Sequence, residues 1–181
     1  QLLKLSKRSQ DINFINDCPP ELMSMGDAQR LVQVFVNLLG NARDASEAQW
    51  SPSAGLIDTA KLDGIDALIH LAGESIAGSR WSKSFKTRVF ESRITSTRRL
   101  IETMQKLDNP PKHFLCASAI GIYGAERLET CQESTAPGSD FLAHVCKHWE
   151  EEASKAETDT TRVSIARFGV VLSPRGGALK K

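Results

Sequence analysis

The segment "HFLCASAIGIYG" (residues 113–124) carries a serine and a tyrosine, Ser118 and Tyr123, after an apolar run. A hydroxyl at Ser118 is placed to hydrogen-bond a substrate carbonyl or alcohol, and Tyr123 reaches toward the same space. A second apolar run, "ALIH", leads straight into Leu71, Ala72 and Gly73. Gly73 permits close backbone approach to a ligand. A different chemistry stands upstream, where Gln33, Asn37 and Asn41 repeat at four-residue spacing in "QVFVNLLGNARDAS". On a helix they form one amide stripe, and an amide oxygen is a hard ligand of the kind magnesium takes beside nucleotide phosphates. Each pattern has a plainer counterpart: strand-end turns for the first two, a solvent-facing or capping stripe for the third.

Other candidates carry less. Arg80, Lys83, Lys86 and Arg88 read as a solvated helix face, or as a contact for a cofactor 2′-phosphate. His144 and His148 share the i,i+4 spacing of metal-binding pairs, but no third ligand stands near them in sequence. Glu150, Glu151 and Glu152 read as a helix surface and Trp149 as a core anchor. The four cysteines show no CxxC spacing and read as buried or idle thiols in a reducing, cytoplasmic compartment. A net charge of +1 gives no electrostatic case for nucleic acid, and no apolar run approaches membrane-spanning length.

The elements that must position these residues follow from periodicity. Residues 10–16 alternate and suggest a strand, residues 22–25 a short extended stretch, and Asp27 caps a helix that ends near Gln49. Residues 50–55 (WSPSAG) are turn-rich, and a junction is placed there. Beyond it, strands are expected at 67–71, 113–117 and within 162–172. One long helix is expected over 82–107, with Phe85, Val89, Ile94, Ile101 and Met104 inward. Another is expected over 140–156, capped by Asp140. The alternation predicts an α/β fold: a partial doubly wound, Rossmann-like parallel sheet with an N-terminal strand–strand–helix unit.

Two resemblances sharpen the picture. "GDAQRLVQVFVNLLGNARDAS" resembles the N-box helix of the sensor histidine kinase ATP-binding domain, and "INFINDCPPELMSMGD" resembles the strands leading into it. The resemblance implies that Asn41 holds the magnesium of ATP, that Asn37 matches the first N-box asparagine, and that Arg43 approaches phosphate. That family's DxGxG-type loop and glycine-rich lid do not follow, so ATP with magnesium is not expected to be held. Residues 50–181 resemble the central part of an extended short-chain dehydrogenase/reductase of the NAD(P)-dependent epimerase-like subfamily. The matching stretches are "DALIHLAGESIAGSRW", "ESRITSTRRLIETM", "ASAIGIYG", "DFLAHVCKHWEEEA" and "RFGVVLSPRGGAL". This implies that Leu71, Ala72 and Gly73 line the cofactor ribose and phosphates and that Ser118, with Tyr123, takes the catalytic position. The usual YxxxK pair would fall at Phe141 and Val145, and no TGGTGxIG loop stands in the sequence.

The expectation from both resemblances is a composite. A kinase-like fragment (1–49) is joined to a truncated epimerase-like segment (50–181) in a chimeric, engineered or generated protein without turnover. No cofactor is expected, NAD(P) binding being weak at best. The alternatives are a non-enzymatic protein-binding module, of inhibitor or antitoxin type, and a fold recombination with no selected function. An exposed sheet edge is where another chain, or a second copy, would associate.

Overall fold

The computed structural model describes residues 2–5, 50–51, 56–57, 59–76, 80–127, 129–170, 172–173 and 176–177. In chain order these form β1 (Leu2–Leu5), β2 (Trp50–Ser51), β3 (Leu56–Ile57), α1 (Thr59–Leu62), β4 (Ala67–His70), α2 (Lys83–Glu91) and α3 (Ile94–Met104). There follow β5 (His113–Ala119), a 3-10 turn (Ile120–Tyr123), α4 (Phe141–Ser154), β6 (Arg162–Phe168), β7 (Leu172–Ser173) and β8 (Gly176–Gly177).

The principal sheet has the order β1-β4-β5-β6. Strands β4, β5 and β6 are parallel, with Ala67 opposite His113 and Ser118 opposite Arg167. Parallel strands are buried by their crossover helices, which is why β4 is apolar along its length: Leu68, Ile69 and His70 are all buried. The expected parallel α/β sheet is present. The expected N-box helix and strands at 10–16 and 22–25, with Asn37, Asn41 and Arg43, lie outside the described residues. Within the described N-terminal segment, β1 pairs antiparallel with β4, Leu2 opposite His70 and Leu5 opposite Ala67. That strand was not anticipated, and it covers the edge of β4. The turn-rich stretch at residue 50 contains half of a small hairpin, with Trp50 opposite Ile57 and Ser51 opposite Leu56.

The single helix expected over 82–107 is two. All five residues assigned to its inner face are buried, so the periodicity survives the break. The break at Ser92–Arg93 has a tertiary cause. Ser92 Oγ accepts the Glu74 backbone N–H at 3.0 Å and donates to the Val89 carbonyl. The Arg93 side chain turns back to the Val89 and Glu74 carbonyls. Both residues thus tie the loop after β4 to the helix pair.

Helix α4 begins as expected at Asp140. Its Oδ1 accepts the Ala143 N–H at 2.9 Å, while its Oδ2 accepts the Ala125 N–H at 3.0 Å. These backbone hydrogen bonds, the Ala143 one first, hold the carboxyl below its ordinary pKa. One side chain therefore fixes both a helix start and the loop after the 3-10 turn. That loop returns so closely that a Cβ on Gly138 would come within 2.7 Å of Gly124 Cα. Gly124 itself sits at φ +83°, where glycine is favoured. Asp140→Ala should lower stability by about 1–2 kcal/mol in urea denaturation, the cost of a lost cap with a second anchor removed. Asp140→Asn, which keeps a capping oxygen, should recover most of it.

Candidate functional site

The C-terminal ends of β4, β5 and β6 lie side by side, the location where open parallel sheets bind ligands. Leu71, Ala72 and Gly73 leave β4 there, with Gly73 exposed. Ser118 stands near the end of the adjacent β5, and Tyr123 closes the 3-10 turn that follows. The strand-end segments thus bring together the site residues proposed for this half of the chain. Ile76, Trp81, Ile120 and Val170, the large apolar side chains left exposed among the described residues, all belong to segments following these strand ends. Apolar surface held open at a strand-end crevice is what a ligand with a flat apolar ring would cover.

Beside Tyr123 an open groove of about 620 Å³ is lined by Gly124, Ala125, Arg127, Gly138 and Asp140, among others. Its walls are the loop clamped by Asp140.

The chemistry at Ser118 is governed by Glu150, read from the sequence as helix surface, and by Arg167, which the sequence did not single out. Ser118 is buried, and its Oγ donates to Glu150 Oε1 at 2.5 Å. Arg167, opposite Ser118 on β6, grips the same carboxylate through two bonds, Nε to Oε1 at 2.8 Å and Nη2 to Oε2 at 2.7 Å. Arg167 Nη1 then donates to Tyr123 Oη at 2.9 Å and to the Glu133 carbonyl at 2.8 Å. The Glu150 hydrogen bonds raise the Arg167 pKa further, so the guanidinium is charged throughout the accessible pH range. Ser118, Glu150, Arg167 and Tyr123 are one connected network. Phe141 and Val145, at the places of the usual tyrosine and lysine, are partly buried and buried apolar residues.

The expected helix surface at 150–152 is corrected accordingly. Glu151 is exposed, but Glu150 lies under the strand ends, and Glu152 is buried against Arg98 and Lys155. For Glu152, burial pushes the pKa up, and the bonds from Arg98 and Lys155 outweigh it, leaving the carboxyl below its usual range. No sequence period reveals this, because the neutralising arginines come from other elements.

The remaining candidates resolve plainly. Trp149 is buried and donates from Nε1 to Thr97 Oγ1. Lys86 and Arg88 lie over the rings of Phe141 and Phe85, and Arg80, Lys83, Lys86 and Arg88 are exposed. His144 and His148 pack edge to face, and among the described residues no cluster of three metal-ligating side chains occurs. Cys116 and Cys146 are free and buried, with burial pushing the Cys116 thiol up to about 12. No described helix is long and apolar enough to cross a membrane.

A parallel sheet crossed by helices, with hydroxyl-bearing loops at its strand ends, defines a Rossmann-like α/β protein. Residues 28–180 match the NAD dependent epimerase/dehydratase family, and the chain belongs to it. It is 38% identical over 138 residues to an epimerase family protein of Mycobacterium bovis, covering 76% of this chain and 45% of the relative. It is 39% identical over 142 residues to the epimerase family protein YfhF of Bacillus subtilis, covering 75% and 46%. Among solved structures it is similar to the human epimerase family protein SDR39U1, crystallised with NADPH. That match has 31% identity and a TM-score of 0.58, over 63% of this chain and 39% of that one. The chain thus spans under half the length of the curated relatives it matches.

Two expectations are overturned here. The chimeric or generated origin fails because curated natural proteins match three quarters of the chain, and because the family match runs from residue 28 through the junction placed at residue 50. The expectation of no cofactor, with NAD(P) weak at best, fails because the family is described as NAD dependent and the similar human protein was crystallised with NADPH.

Proposed function

We propose that this chain contributes the strand-end site of an NAD(P)-dependent epimerase or reductase. The observation that carries the reading is the convergence of exposed Gly73, buried Ser118 and half-buried Tyr123 at neighbouring parallel strand ends, amid exposed apolar side chains. The residues fit a dinucleotide. Ala72 and Gly73 allow the ribose and phosphates to approach the backbone, and the apolar rim suits the flat nicotinamide. The dinucleotide, when bound, gives or takes up a hydride.

The chain's own part is orientation and proton handling. Glu150 accepts the Ser118 O–H hydrogen bond, so the Oγ can act toward a ligand only as an acceptor. Arg167 donates to Tyr123 Oη, so the phenol's own proton is available to a substrate oxygen. Tyr123 therefore takes the acid–base role and Ser118 the orienting one. The likeness of residues 1–48 to a kinase N-box is no part of this reading.

Titrating the chain with NADPH while following tryptophan emission should give a saturable change with a Kd below about 1 mM. Absence of any saturable change at that level would refute the dinucleotide reading.

A further inference from the structure

Arg93 stands at the break between α2 and α3 and is partly buried beneath the loop after β4. Three of its hydrogen bonds are accounted for: Nη1 to the Val89 carbonyl at 3.2 Å and to Ser92 Oγ at 3.4 Å, and Nη2 to the Glu74 carbonyl at 3.1 Å. A guanidinium has five N–H donors. The Nε proton and the second Nη2 proton therefore have no acceptor among the described residues. Nor does a carboxylate pair with it. The nearby Glu74 attracts it at longer range but pairs with Arg88 at 3.7 Å. Arg98 and Arg167, by contrast, each hold a glutamate with two bonds, buried Glu152 and largely buried Glu150. Burial pulls the Arg93 pKa below its ordinary value, as expected for a desolvated cation without a contact partner.

Gly73 determines what can reach this cation. A Cβ at that position would lie 3.0 Å from Arg93 Cζ, 3.1 Å from Nη2 and 3.3 Å from Nε. Any side chain there would crowd the edge whose protons are unused, and glycine leaves that edge clear. On the inner side the guanidinium lies 5.3 Å from the Trp149 ring centroid. Gly73 leaves β4 beside the end of β5 that carries Ser118, so the unused edge lies along the same row of strand ends.

We infer that Arg93 is an oxyanion-binding residue, taking a phosphate or carboxylate oxygen of the bound ligand through its Nε and Nη2 protons over Gly73. Arginine suits this role because its planar edge presents two parallel donors to two oxygens. A strut holding the loop would need only the three bonds already made. The inference rests on the dinucleotide reading for its place in the reaction, but the anion site is testable without it.

The probe is inorganic phosphate, followed by the ¹⁵N–¹H resonance of Arg93 Nε in the full chain, assigned by its loss in Arg93→Lys. Phosphate should shift this resonance saturably in the millimolar range. Gly73→Ala, whose Cβ would press on the Nε–Nη2 edge, should weaken the response at least tenfold while the Arg93 side chain is retained. Arg93→Gln should weaken NADPH or phosphate binding at least tenfold, and Arg93→Lys less. Repeating the phosphate titration with NADPH present distinguishes the sources. Competition assigns the oxyanion to the cofactor, and simultaneous binding assigns it to a second ligand; either supports the site. An Arg93 resonance that does not move with phosphate or NADPH overturns the inference even if NADPH binds. A phosphate response without NADPH binding upholds Arg93 and refutes the dinucleotide reading instead.

Discussion

Replacing Glu150 by alanine should destabilise the protein by about 3 kcal/mol, the lower end of the range for breaking a buried ion pair from one side. The pair is not exposed enough for solvent to take over: the side chains of Glu150 and Arg167 are 13% and 22% accessible. Without the carboxylate, Arg167 keeps its bonds to Tyr123 Oη and the Glu133 carbonyl, neither of which neutralises it. The buried Ser118 hydroxyl also loses its acceptor. Most of the cost is the charge left behind, so removing both partners should cost less than the sum of the single changes. The cycle of Glu150→Ala, Arg167→Met and the double variant, measured by urea denaturation, gives the coupling directly. A single-variant loss below about 1 kcal/mol, the value of an exposed pair, would show that the network is not buried in solution. Tyr123 should also lose its fixed position in Glu150→Ala, because the guanidinium that holds it is no longer held from behind.

The same network marks where sequence stops being informative. Phe85, Val89, Ile94, Ile101 and Met104 were legible as core because helical periodicity is local, and Asp140 because a cap acts within its first turn. Strands β4, β5 and β6 were legible as short apolar runs between breaks. Glu150 was not. It follows Trp149 in a run of three glutamates, and its partners Arg167 and Ser118 lie 17 and 32 positions away. Only the parallel register that sets Ser118 opposite Arg167 brings them together. The break at Ser92–Arg93 was hidden for the same reason, since the Glu74 backbone that occupies Ser92 and Arg93 is 18 and 19 positions away. Ser118, Tyr123 and Gly73 could be placed at or just beyond strand ends from the sequence because the end of an apolar run is itself a local signal. Their supporting residues come from elsewhere in the chain.

Acidification from pH 7 to pH 5 should remove about 2 kcal/mol of stability, and His70 should account for most of it. His70 ends β4, is fully buried, and bonds through Nε2 to Thr97 Oγ1 at 2.9 Å, the same oxygen that receives the Trp149 indole. It stacks on Phe114 and meets Trp149 edge to face. Burial lowers its pKa from 6.5 to about 3, because this apolar surround solvates an imidazolium poorly. Between those two values the unfolded chain binds a proton that the folded one refuses. Stability is therefore complete above the unfolded pKa and falls as pH drops, by about 1.4 kcal/mol per unit, until the folded pKa is reached. Asp140 and Glu152 also have lowered pKa values, but carboxylates contribute their loss near and below pH ~4, beneath this window. His70→Asn should cost stability at pH 7 through lost packing, yet flatten the slope between pH 7 and pH 5. If the slope persists in that variant, the acid sensitivity belongs to another group and the imidazole is not held neutral in the core.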